Sequence, residues 1–126
     1  MPIDAPGLVL LDSVTQVEFG HAGRLVVTGS HGGASVVAYA RAVRAWLYAF
    51  NDAGVGKDGA GIAALDLLAA EGIAALAVSH DSARIGEALD TWRHGVVSHV
   101  NAAARALGLQ VGLPLAVQVL AGPISR

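Results

Sequence analysis

Three times in this chain, a run of apolar residues stops at a polar, mostly glycine-containing loop and gives way to apolar residues at helical spacing. Leu25-Val26-Val27-Thr28 stops at Gly29-Ser30-His31-Gly32-Gly33, after which Val36, Val37, Ala40 and Val43 recur along one helix face. Trp46 to Phe50 stops at the loop from Asn51 to Gly59, and Ile62, Leu65, Leu68 and Ala69 then mark a helix that Gly72 closes. Ile73 to Val78 stops at Ser79-His80-Asp81-Ser82, and Ile85, Leu89 and Trp92 follow on one helical face. Strands that are apolar throughout and alternate with helices specify a parallel sheet covered on both faces. The expected fold is α/β, a three-layer α/β/α sandwich with a mainly parallel sheet.

The flanking segments are less constrained. Leu8 to Leu11 is a short apolar run and Val14 to Phe19 alternates apolar with polar, which predicts a strand or strand pair before the turn at Gly20 to Gly23. After Gly95, the spacing of Val96, Val100, Ala103, Ala104 and Leu107 predicts one more helix, capped by Gly108. Leu109 to Leu120 fits a strand or a last helix beginning at Pro114. No repeat or low-complexity linker divides the chain, so residues 1–126 are read as one domain with 1–7 as a tail. The general plan resembles Rossmann-like and flavodoxin-like domains, a likeness of architecture that implies no particular activity.

Composition excludes several functions. With 54% hydrophobic and only 14% charged residues, the chain is not disordered. A net charge of -2 gives no basic surface for nucleic acid. The lack of cysteine rules out disulfides, thiolate nucleophiles and iron–sulfur ligation. Neither a basic leader nor an apolar run near the ~18 residues of a bilayer span is evident, so a cytoplasmic protein without a membrane partner is expected. So much apolar surface for so little charge predicts a homo-oligomer.

In a parallel sheet with right-handed crossovers, every strand-to-helix loop falls on the carboxyl edge, where open α/β folds bind ligands. That edge should gather Ser30, His31, Gly32 and Gly33, then Asn51, Asp52 and Lys57, then His80, Asp81, Ser82 and Arg84. The central loop, Gly54-Val55-Gly56-Lys57-Asp58-Gly59, matches G-x-G-x-x-G and holds the chain's sole lysine. Gly54, Gly56 and Gly59 would let backbone amides approach a phosphate or carboxylate, with Lys57 and a helix N-terminus adding positive charge. Asp81, 22 residues beyond Gly59, stands where a dinucleotide site wants an acid, but Asn51 to Ala53 intrude before the first glycine. Asp58 is read as the N-cap of the next helix, and Asp81 or Ser82 as the cap of the one after it, with Arg84 in its first turn as an anion clamp.

Other chemistry fails on spacing. Asp58 follows Lys57 where a P-loop needs Ser or Thr, and Gly29-Ser30-His31-Gly32 is not G-x-S-x-G. No His-x-x-x-His pair supports a metal. His94 and His99 share no helix face and read as ordinary surface or interface residues, while Ser98 and Asn101 lie within reach of the rim or on a polar helix face. The expectation is a small enzyme, hydrolase, lyase or isomerase, acting on an anionic small molecule. His31, Asp52, Lys57 and His80 would move protons or stabilise charge, with no cofactor identified. The alternatives are a non-catalytic nucleotide- or metabolite-binding module and a structural assembly subunit.

Overall fold

Residues 7–121 are described here from a computed structural model. Five strands form one sheet: β1 (Leu8–Leu11), β2 (Leu25–His31), β3 (Leu47–Asn51), β4 (Ala75–Val78) and β5 (Val97–Val100). β1 to β4 run parallel, and β5 pairs antiparallel with β4. The helices are α1 (Val37–Ala42), α2 (Ala63–Ala69), α3 (Ala88–His94), α4 (Ala102–Ala106) and α5 (Leu115–Ala121). This is an α/β fold with a mostly parallel sheet, and the three apolar runs singled out above are its β2, β3 and β4.

Alternation along the strands sends side chains to two separate cores. Val26, Tyr48, Phe50 and Ala77 pack with Val37 and Ala40 of α1 and Leu65 and Leu68 of α2. Leu25, Val27, Ala49 and Leu76 pack instead with Trp92 of α3, Ala104 of α4 and Leu115 of α5. Both faces of the central strands are thus apolar, which is why these strands read as unbroken hydrophobic runs.

Several expectations are corrected. Val14 to Phe19 is not a strand: Ser13 caps a single 3-10 turn at Val14–Gln16, and another follows at Phe19–His21. The alternation there records half-buried turns, not a pleat. The helix expected from Val96 to Leu107 is two elements, β5 and then α4, divided by Asn101, whose side chain accepts the Ala104 amide as an N-cap. Val96, Val97 and Val100 suit either structure, and an apolar run this short does not decide between them. Ser30 and His31 are the last residues of β2, not a loop. Of the expected tail, residues 1–6 lie outside the described residues, while the Gly7 carbonyl accepts the Leu25 amide.

The strand order follows the chain, β1-β2-β3-β4-β5, so it nowhere reverses to open the crevice usual in such sheets. The segment after β4 travels back over the carboxyl ends of the earlier strands instead. The Ala83 carbonyl accepts from Asn51 Nδ2 at 2.9 Å, at the end of β3. The Gly86 amide then donates to the Gly29 carbonyl in β2 at 2.6 Å, and the Ala88 amide to Asp12 Oδ1, just past β1, at 2.9 Å. Gly29 is required at this crossing, because a Cβ there would strike the backbone of Gly86 and Glu87. The register of β2 against β3 shifts in the same stretch, between Val27 and His31.

Candidate functional site

Parallel β2, β3 and β4 bring the ends of three polar segments to one edge, as the sequence implies, and the side chains there divide into two sorts. Some hold the scaffold. Ser30 Oγ accepts the Val14 amide at 2.8 Å. Asn51, fully buried, donates to Ala83 and takes the Ala53 amide on Oδ1 at 2.8 Å. Ser82 Oγ accepts the Val96 amide and donates to the Ser79 carbonyl, each at 2.9 Å. Gly32 passes so close to the Gly61 carbonyl that a Cβ would sit 3.0 Å from it. His31 accepts the Gly33 amide on Nδ1 at 2.9 Å, which leaves its proton on Nε2 in the neutral form.

The others meet at Asp52, which is 5% exposed. Its Oδ1 accepts from the Gly54 amide at 2.8 Å and the His80 amide at 3.0 Å, and lies 3.3 Å from His80 Nδ1. Its Oδ2 accepts from Ser98 Oγ at 2.8 Å. Desolvation is the largest single influence and pushes the Asp52 carboxyl up. The Gly54 amide, the Ser98 hydroxyl and the His80 amide and ring together outweigh it, so the group stays ionised below its ordinary range. A buried carboxylate with four donors is firmly placed, and it orients an imidazole whose side chain is 54% exposed.

The His80 ring faces a cleft of about 470 Å³ shared with Asn51, Ala53, Arg84, Ile85 and Glu87. Asp81 Oδ1 stands 3.3 Å from His80 Nε2. The Arg84 guanidinium has one ion pair among the described residues, with Glu87 at 3.9 Å, and also feels the charge of Asp90, which takes the Arg84 amide. Asp81, Glu87 and Asp90 border the same region, so an anionic ligand needs Arg84 to turn from Glu87 towards it. Among the described residues, no group of three or more His, Asp and Glu is arranged to hold a metal ion.

The glycine-rich loop has an unusual backbone. Ala53, Gly54, Val55, Gly56, Asp58 and Gly59 all have positive φ, and for the β-branched Val55, at 66°, this is a strained conformation. The loop amides largely bond within this segment: Gly54 to Asp52 Oδ1, Val55 to the Asp52 carbonyl and Gly61 to the Val55 carbonyl. Gly56 and Gly59 have open space where a Cβ would project. Lys57 is exposed at the rim, with no ion pair among the described residues.

The capping assignments change. Asp58, at φ 57°, lies inside the turn Lys57–Ile62 and caps nothing, and α2 begins only at Ala63. Neither Asp81 nor Ser82 caps α3. Its N-cap is Glu87, Asp12 takes the Ala88 amide, and Asp90 takes the Arg84 amide at 2.7 Å. Arg84 precedes the helix and is not in its first turn. Sequence reasoning missed Asp12, although the rule used for the other loops places the residue after β1 on the same edge. It read His99 as an ordinary surface or interface residue and gave no sign that its Nδ1 lies 3.0 Å from Ser98 Oγ. Set against known proteins, the chain matches no family model, no curated protein and no solved structure.

Proposed function

We propose that this chain is a small enzyme that acts on an anionic, phosphate- or carboxylate-bearing molecule in the cleft beside His80. The observation that carries this reading is the pairing of a half-exposed imidazole with a buried, multiply anchored carboxylate. Asp52 holds Nδ1, which leaves Nε2, 3.3 Å from the exposed Asp81 carboxylate, as the ring nitrogen available for proton transfer. Arg84, whose ion pair with Glu87 is long at 3.9 Å, supplies the charge for the anion. His31 and Lys57 share the edge and would extend the site to a longer substrate. The finer fold belongs to the same proposal: a three-layer α/β/α sandwich, Rossmann-like in the broad sense, supported by a core on each sheet face. So do a cytoplasmic setting, homo-oligomeric assembly, and the absence of nucleic-acid and membrane partners.

Titration with inorganic phosphate, mononucleotides and small dicarboxylates, followed through the His80 ring signals, tests the reading. A ligand that binds should lose about tenfold or more in affinity in Arg84→Ala, the range for hydrogen bonds to charged groups. In His80→Gln it should bind unchanged while turnover is lost. Equal affinity in Arg84→Ala, or full turnover in His80→Gln, removes the assignment. A second reading, a non-catalytic nucleotide- or metabolite-binding module, is favoured by the exposed, unpaired Lys57 in its positive-φ loop. It predicts that Lys57→Ala weakens binding by about 1.5 to 3 kcal/mol while Arg84→Ala has no effect.

A further inference from the structure

We propose that Ser98 is a positioning residue for His80: by bonding the far oxygen of Asp52, it limits the negative charge that the carboxylate offers the imidazole. The inference rests on the reading of His80 as the proton-transfer group. Asp52 uses its two oxygens unequally. Oδ1 meets the Gly54 and His80 amides and the His80 ring, whereas Oδ2 has one hydrogen-bond donor among the described residues, Ser98 Oγ, at 2.8 Å.

Ser98 is itself held from behind. A hydroxyl has one proton; the Ala77 carbonyl also lies within reach at 3.3 Å, but Asp52 Oδ2 is nearer at 2.8 Å, and with the proton there the contact to His99 Nδ1 at 3.0 Å requires His99 to donate. His99 is thereby fixed with its proton on Nδ1, and its donation polarises the Ser98 hydroxyl towards the carboxylate. The antiparallel course of β5 makes this possible. It sets the early residues of β5 beside the carboxyl end of β4, Val97 opposite Val78, so that Ser98 reaches the edge where β3 and β4 end. A parallel fifth strand would carry its first residues to the opposite edge.

The charged and titratable groups facing His80 are few enough for the effect to be read. Asp52 comes from the end of β3, Asp81, Arg84 and Glu87 from the segment between β4 and α3, and Asp90, which is bonded by the Arg84 amide and paired with His94, from α3. His99 on β5 acts through Ser98. Without the hydroxyl, Oδ2 carries its charge uncompensated and favours the imidazolium. The His80 titration midpoint should then rise, not fall.

The experiment is an NMR titration of the His80 Cε1–H signal in wild type, Ser98→Ala and Ser98→Thr. Ser98→Ala should raise the midpoint by about half a pH unit or more, as expected for a carboxylate that gains effective charge beside an imidazole. Ser98→Thr, which keeps the hydroxyl, should return it to the wild-type value. If Ser98→Ala does not fold, Ser98→Cys has nearly the same shape and a much weaker donor, and should show the same upward shift. An unchanged or lowered midpoint in the variant without a strong donor overturns the proposal, as does an equal rise in Ser98→Thr. None of these readings needs turnover, so failure here is distinct from failure of the His80 assignment, which His80→Gln decides.

Discussion

Asp52 shows how one side chain joins three strands, since its carboxylate ties the end of β3 to the start of the segment after β4 and to β5. Asp52→Ala leaves the Gly54 and His80 amides without their acceptor and the Ser98 hydroxyl with only the longer contact to the Ala77 carbonyl, and should cost about 3 kcal/mol, measured by urea unfolding. The carboxyl titrates below its ordinary 3.8 in the folded protein, so its stabilisation is complete above that value and is lost as pH falls through the folded midpoint. The stability gap between wild type and Asp52→Asn should therefore be full at neutral pH and narrow below about pH 3.8. A gap of constant size from neutral pH down to pH 2 would show that folding does not lower the Asp52 midpoint. Val55 gives the opposite sign: at φ 66° its branched side chain is strained, so Val55→Gly should raise stability by about 1 kcal/mol, seen as a higher Tm. The sequence marks Asp52 by its place after an apolar run, but not its burial, because burial here depends on Ser98, 46 positions away. Asp58 has the composition of a helix cap and misleads for the same reason: two positive-φ residues in its turn interrupt the helix it was expected to start.

At the level of elements, the sequence is most informative where periodicity is long and punctuated. β2, β3 and β4 are legible because each is buried on both faces and ends in residues that cannot continue it. β5 is not, because four residues, Val97–Val100, carry no period that separates strand from helix. A usable signal does exist in Asn101, a favoured N-cap residue directly before Ala-Ala-Ala-Arg. It is also buried, donates to the Leu65 and Ile73 carbonyls at 2.9 Å and accepts the Ala75 amide at 3.1 Å, so it joins α2, β4 and α4. Asn101→Ala should cost about 3 kcal/mol, several times the effect of an isolated cap, and thermal unfolding of the variant measures it. The segment over the carboxyl edge is invisible in the sequence, since nothing local states that Gly86 will meet Gly29. Gly29→Ala tests that crossing. A methyl driven into the backbone of Gly86 and Glu87 should cost about 2 kcal/mol or more, whereas Gly20→Ala, which meets open space, should be near neutral.

Over the whole molecule, apolar surface is left outside the two cores. Trp92 is 2% exposed, while Phe19 at 85% and Val117 at 57% face outward. Large apolar side chains are thus left exposed on the turn Phe19–His21 and on α5, whereas Trp92 of α3 is enclosed. The sequential strand order has a different meaning for how the chain reaches this state. Each strand from β2 to β5 pairs with the strand just before it, so the sheet can grow by short closures in the order of synthesis. The Asp12–Ala88 bond is the exception, since it spans 76 positions and shuts the carboxyl edge only after β4 is in place. Asp12→Ala should accordingly leave the refolding rate nearly unchanged and speed unfolding several-fold, as for a contact absent from the transition state. The groove beside His80 is then the last part of the molecule to be assembled and the first to come apart.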